Sequence, residues 1–181
     1  MQQIRIDAPT SLRTSASSSS ASERVMWLNA DRVLYVGLHG EPSLRTLGAI
    51  SIYVSLKCPH KICIDGETWR ETEFSVVPAG MPHRIASGER MICNVLIESE
   101  TVDLQSLPDY IRNGRGAVDA PAALRAMRDA LERFKRCALR QYERTEDFDR
   151  NFFGCALPTR PIDRRIRAVL DRIKQDPNSH T

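Results

Sequence analysis

The stretch Phe74-Ser-Val-Val-Pro78-Ala-Gly80-Met-Pro82-His83 decides how this chain is read. Its opening residues are largely aromatic and β-branched, the kind that suits a pleated, half-buried strand. Pro78 and Gly80 then bring the fixed and the positive φ angles that tight turns use, and His83 follows three residues behind the glycine. A strand that enters such a turn and delivers a histidine points to a β-rich domain.

Both flanks share this texture. Short apolar runs broken by Gly, Pro and Asp predict strands over 33–38, 49–56, 60–64, 68–70, 74–77 and 91–97. Asp65-Gly66, between the third and fourth of these, tolerates the angles of a tight hairpin. Strands at this spacing imply a sandwich or barrel rather than a βαβ sheet.

After Leu107-Pro108 the period switches to that of a helix. Leu124, Met127, Leu131, Phe134 and Ala138 form one apolar stripe on a helix expected over 120–142, with Asp119 as its N-cap and Pro121 in its first turn. That stripe has to be buried, either on the β domain or against the same helix of a second chain. A short helix and a linker are expected over 143–159. A last helix over 162–174 carries Ile162, Ile166, Val169, Leu170 and Ile173 on one side, and Arg164, Arg165, Arg167 and Arg172 mostly on others. Residues 1–24 include a Ser-rich run, 14–22, with too little apolar surface to offset the entropy of ordering, so a disordered leader is expected, with Met26 as an alternative start.

A chain of 181 residues with 41% hydrophobic content has room for one compact domain plus extras. It contains no run of about 18 apolar residues and no signal layout, so a cytoplasmic address without a membrane partner follows by default. The net charge of +3 is uneven: residues 1–110 carry 10 Lys/Arg against 13 Asp/Glu, and residues 111–181 carry 16 against 10. A basic C-terminal segment suits a polyanion partner, and a solvated helix face accounts for scattered arginines equally well. Five cysteines, an odd number without a C-x-x-C pair, read as reduced thiols. In Cys58-Pro-His60-Lys-Ile-Cys63, strand alternation puts Cys58 and His60 on one face and Cys63 on the other, which disfavours a metal site. The chain has no G-x-S-x-G elbow, phosphate loop or H-E-x-x-H helix, and so no positive sign of enzyme chemistry.

With Pro78, Gly80 and His83 in place, the opening stretch resembles the second conserved box of cupin barrels, P-x-G-x-x-H. Beyond the helices, Pro161-Ile-Asp163-Arg-Arg-Ile166 and the residues up to Pro177 look like the first helix of the DNA-binding unit of AraC/XylS regulators, which typically begins with a D-x-R-I element. The resemblance covers about residues 30–176. It implies an α+β fold, a cupin-like β-barrel (double-stranded β-helix or jelly roll) followed by C-terminal helices. The implied division is a leader 1–24, a sensor barrel 25–107, a helical dimerisation and linker region 108–157, and the first helix of a truncated helix-turn-helix domain 158–181.

The same resemblance implies a homodimer through the helix bearing Leu124, Met127, Leu131, Phe134 and Ala138. It implies a small-molecule effector in the barrel, where His83 is a candidate contact; Tyr53 and Trp69, each with one apolar and one hydrogen-bonding end, suit either the lining of such a pocket or a filled core. Arg164, Arg165 and Arg167 become phosphate contacts only in a full-length parent, where missing helix-turn-helix motifs read DNA. Metal-dependent cupins share an H-x-H pair and a carboxylate on an earlier strand, where this chain reads Ser43-Leu-Arg-Thr-Leu-Gly-Ala49. No metal, other cofactor or catalytic residue is therefore expected. His83 either binds a ligand or satisfies a buried backbone group at the turn, the second being favoured. Two rivals remain: a small metal-dependent cupin enzyme using His39, Glu41 and His83, and a stand-alone dimerisation protein that traps full-length regulators.

Overall fold

The computed structural model of the protein describes residues 24–64, 66, 68–88, 90–136, 144–161 and 163–175. The described strands are β1 (Val25–Leu28), β2 (Arg32–Leu38), β3 (Ala49–Val54), β4 (His60–Ile64), β5 (Arg70–Thr72), β6 (Phe74–Val77), β7 (His83–Ser87), β8 (Met91–Glu98) and β9 (Gly116–Ala117). All pair antiparallel, in a six-stranded sheet β1-β2-β8-β3-β6-β9 and a three-stranded sheet β5-β4-β7. The helices are α1 (Asp109–Arg112), α2 (Pro121–Arg136), α3 (Thr145–Phe153) and α4 (Arg164–Gln175). The fold is α+β, a β domain followed by helices.

Two interiors organise it. Tyr53, Val77 and Ile92 of the large sheet meet Ile62 and Ile85 of the small one in a cluster between the sheets. On the other face of the large sheet, Ile50, Ile52, Val54, Val95 and Ile97 join residues of α2 and α3 in the larger core. The large sheet is thus covered on both faces. Along Ala-Ile-Ser-Ile-Tyr-Val of β3 every residue after the first is buried. The alternation there separates an apolar interior from a more polar one, rather than core from solvent.

The stripe on α2 belongs to this core. Leu124, Met127, Leu131 and Phe134 are at most 9% exposed, packed in the cluster that includes the chain's own sheet and α3. Each such burial contributes about 1.5–3 kcal/mol. Of the two covers open to the stripe, the chain's own sheet and helices supply one for these four residues. Ala138, the fifth, lies outside the described residues. The helix begins at Pro121, so its cap position falls on Ala120 rather than Asp119, and the Ala120 carbonyl accepts the Leu124 N–H at 2.9 Å.

Residue α3 positions also tie the helices to β1 and β2. Trp27 stacks on Phe148 with ring centroids 4.4 Å apart, and Phe148 stacks on Phe152 at the same distance. Beside this ladder the Arg32 guanidinium forks onto the Asp149 carboxylate at 2.8 and 2.9 Å, and both side chains are almost fully buried. Gly154 ends α3 in the left-handed region, at φ 77°, with its N–H bonded to the Arg150 carbonyl.

Between α1 and β9 the chain passes close under β6. A Cβ at Gly114 would sit 2.6 Å from the Tyr110 carbonyl oxygen and from Val76 Cβ. Backbone on one side and a core side chain on the other leave little room to relax. Gly114→Ala is expected to destabilise the fold by about 1–3 kcal/mol, the usual cost of overpacking. Urea titration checks this, and an unchanged midpoint would contradict the close approach.

Candidate functional site

The face of the large sheet that looks toward the small sheet carries polar side chains in a row. Tyr35 of β2, Asn94 of β8, Tyr53 of β3 and Ser75 of β6 are cross-strand partners in sequence across four strands. Cross-strand partners share a face, so these four side chains lie side by side, and Ser51 sits two residues along β3 on that same face.

The Pro-Gly turn sets the opposite wall. Gly80 adopts φ 76°, Met81 N–H bonds the Pro78 carbonyl at 3.3 Å, and Gly80 N–H bonds the Leu47 carbonyl at 2.7 Å. This turn starts β7 at His83, whose ring is buried against Tyr53. His83 Nδ1 lies 3.0 Å from the Met81 carbonyl, which only accepts, so Nδ1 carries the proton. Nε2 is then an acceptor, and the Tyr53 hydroxyl donates to it at 2.8 Å. Burial lowers the His83 pKa, with the Met81 carbonyl opposing and the Arg45 charge adding, which suits this neutral form. The same burial raises the Tyr53 pKa. The favoured expectation for His83, that it satisfies a backbone group at the turn, describes its Nδ1.

Two further histidines share the interior. His60 of β4 is buried, with Nδ1 2.8 Å from Ser55 Oγ and Nε2 2.8 Å from Ser75 Oγ, bridging the two sheets. Burial pushes its pKa down to about 4, and His39 adds to the shift. His39, also buried, gives its Nδ1 proton to the Gly40 carbonyl at 3.1 Å, which leaves Nε2 an acceptor. Its pKa is lowered by burial and by the nearby charges of Arg45 and His83. Among the described residues, Nε2 of His39 finds no hydrogen-bond partner, and neither do Ser51 Oγ and Asn94 Oδ1. Orphaned buried polar atoms are uncommon in folded proteins, and each calls for a partner.

Of the residues expected to line a ligand pocket, Tyr53 and His83 come together and Trp69 does not. Trp69 precedes β5, is 39% exposed, and makes no hydrogen bond or ring contact with either of the other two. His60, Asn94, Ser51 and Ser75 complete the polar face and were not singled out for it from sequence. Their signal was present: polar residues at every second position of β3, flanked by Ile50, Ile52 and Val54, mark a face unlike the core.

A cupin metal does not fit this donor set. Both ring nitrogens of His60 and of His83 are engaged, and Glu41 is exposed. Among the described residues no group of three His, Cys, Asp or Glu side chains is placed to hold a metal ion. No helix among them is long and apolar enough to cross a membrane.

No family model matches the chain, and no curated protein does. Among solved structures it is similar to a protein from Neisseria meningitidis, at 14% identity over 41% of this chain and 82% of that one, with a TM-score of 0.36. A conserved protein of unknown function from Streptococcus pyogenes gives 18% identity over 44% and 78%, with a TM-score of 0.35. DMSP lyase DddQ from Ruegeria pomeroyi gives 20% identity over 38% and 39%, with a TM-score of 0.32. Likenesses at this level carry no argument about activity.

Proposed function

We propose that the chain is the ligand-sensing and dimerisation portion of an AraC/XylS-type transcription regulator, built on a cupin-like barrel and without enzymatic activity of its own. The observation that carries this reading is the set of orphaned polar atoms on the inner face, His39 Nε2, Ser51 Oγ and Asn94 Oδ1. His39 Nε2 and Asn94 Oδ1 are acceptors, so the effector that completes them is a small molecule rich in hydroxyl or amine donors. Its hydrogen bonds differ between bound and free states, which is what a conformational response requires.

The last helix supports the same reading. Asp163 Oδ1 accepts the Arg165 N–H at 2.7 Å at the start of α4, so the D-x-R-I element sits at a helix N-terminus. Arg164, Arg165, Ile166 and Val169 are exposed, as a helix waiting to join a DNA-binding unit would leave them. The Arg167 side chain lies outside the described residues. Because the α2 stripe is covered by its own chain, a homodimer would use other surfaces of the helical region.

Thermal-shift screening against sugars, polyols, amino alcohols and other hydroxylated metabolites tests the sensor. At least one is expected to raise the melting temperature, and Asn94→Ala and His39→Ala are each expected to weaken its binding by about tenfold, the worth of about one hydrogen bond. Silence across the whole panel would count against a sensor.

A further inference from the structure

A second feature of the β domain lies apart from the polar row. Between β4, β5 and β9 the structure has a cavity of about 230 Å3. Its lining combines Ile62 and Ile64 of β4, the Thr68 hydroxyl, and two arginines from opposite sides, Arg70 at the start of β5 and Arg115 just ahead of β9. Gly116 shapes the wall beside Ile64. It adopts φ 84°, and a Cβ there would come within 3.2 Å of Ile64 Cγ1.

What brings Arg70 and Arg115 together is their place in the lining of one cavity. Arg32, Arg112, Arg128 and Arg160 each reach a carboxylate, and Arg133 reaches the Asn151 side chain. Arg70 and Arg115 have neither an ion pair nor a side-chain hydrogen bond among the described residues, yet they line one small cavity. Two like charges brought to one hollow repel, and a bound anion relieves that repulsion. A planar guanidinium matches a carboxylate through paired N–H donors. Ile62 and Ile64 offer the same ligand an apolar wall.

We propose that this cavity binds a small carboxylate, with Arg70 and Arg115 clamping the anionic group and its short hydrocarbon part against Ile62 and Ile64. The volume falls below the roughly 300–1,000 Å3 typical of pockets for drug-sized ligands, so the occupant is a short-chain acid. The assignment stands independently of the regulator reading, because it uses none of the inner-face histidines.

Calorimetric titration at constant ionic strength tests it with butyrate and succinate, their amides, and inorganic phosphate as the control anion. Saturable binding is expected for at least one carboxylate and for neither amide. Arg70→Gln and Arg115→Gln should each weaken it at least tenfold, and the double variant should abolish it. Both arginines are exposed, so these variants are expected to keep the parent's far-ultraviolet circular dichroism and melting temperature, and Arg150→Gln on α3 should retain parental affinity. Absence of saturable carboxylate binding, equal binding of the amides or phosphate, or affinity unchanged in the double variant would overturn the proposal.

Discussion

Asp149→Ala is expected to cost about 3–5 kcal/mol, because it strands a buried guanidinium without its counter-charge. The Asp149 carboxylate receives both Arg32 bonds, at 2.8 and 2.9 Å, and also the Leu157 N–H at 3.2 Å. Arg32 reaches the Asp31 carbonyl and Thr101 Oγ1 besides, but neither carries charge to replace a carboxylate. The pair sits where β2, α3 and the segment after α3 meet, so losing it loosens the helices from the sheet. Removing both charges should hurt far less: a well-packed Arg32→Met/Asp149→Leu double variant is expected to recover most of the loss. Urea unfolding of the two single variants and the double completes the cycle. If Asp149→Ala unfolds within about 1 kcal/mol of the parent, the charge is reaching water and the site is not sealed.

The β domain was largely legible because its main strands carry their own signal. β2, β3, β4, β6 and β8 fall where β-branched runs predict them, and Gly66 takes the positive φ expected of a hairpin glycine, while Asp65 lies outside the described residues. β5 begins two residues later than the predicted run, at Arg70, so the connection from β4 is longer than a two-residue turn. β1, β7 and β9 were not anticipated. The Val-Met-Trp-Leu of β1 borders the Ser-rich leader, and β7 holds a single large aliphatic residue, Ile85. β9 is two residues, Gly116 and Ala117, and owes its conformation to pairing with Val76 and Ser75 rather than to propensity.

The site was legible only in part, for a reason of distance. The P-x-G-x-x-H spacing picked out His83, and the amphipathic character of Tyr53 made it a candidate for the same pocket, without pairing the two. Trp69 has the same character, yet nothing in a single residue type says which strand it will face. His60 was weighed only with its neighbours Cys58 and Cys63. Its actual partner across the interior, Ser75, is 15 residues away on the other sheet. Arg32 and Asp149 are separated by 117 residues, and no local pattern marks them.

The same burial that hides His60 gives it the clearest solution signature. Its pKa falls from 6.5 to about 4 in the folded chain, so between those values the unfolded chain binds a proton that the folded one refuses. Stability from this group is therefore complete above pH 6.5 and declines as the pH falls toward 4, by about 2 kcal/mol at pH 5 and about 3 kcal/mol in all. Structure explains the reluctance. The ring lies between Ser55 Oγ and Ser75 Oγ, neither of them charged, and His39 adds like-charge repulsion. His39 and His83 are shifted in the same direction, so they steepen the decline without reversing it. Urea midpoints of the parent and of His60→Gln, taken from pH 7.5 down to 4.5, separate the contributions. The glutamine keeps hydrogen-bonding capacity and does not titrate in this range. Whatever its absolute stability, its curve should fall less steeply than the parent's. Parallel curves would mean that His60 takes up its proton in the folded state, and the bridge between the sheets would have to open to allow it.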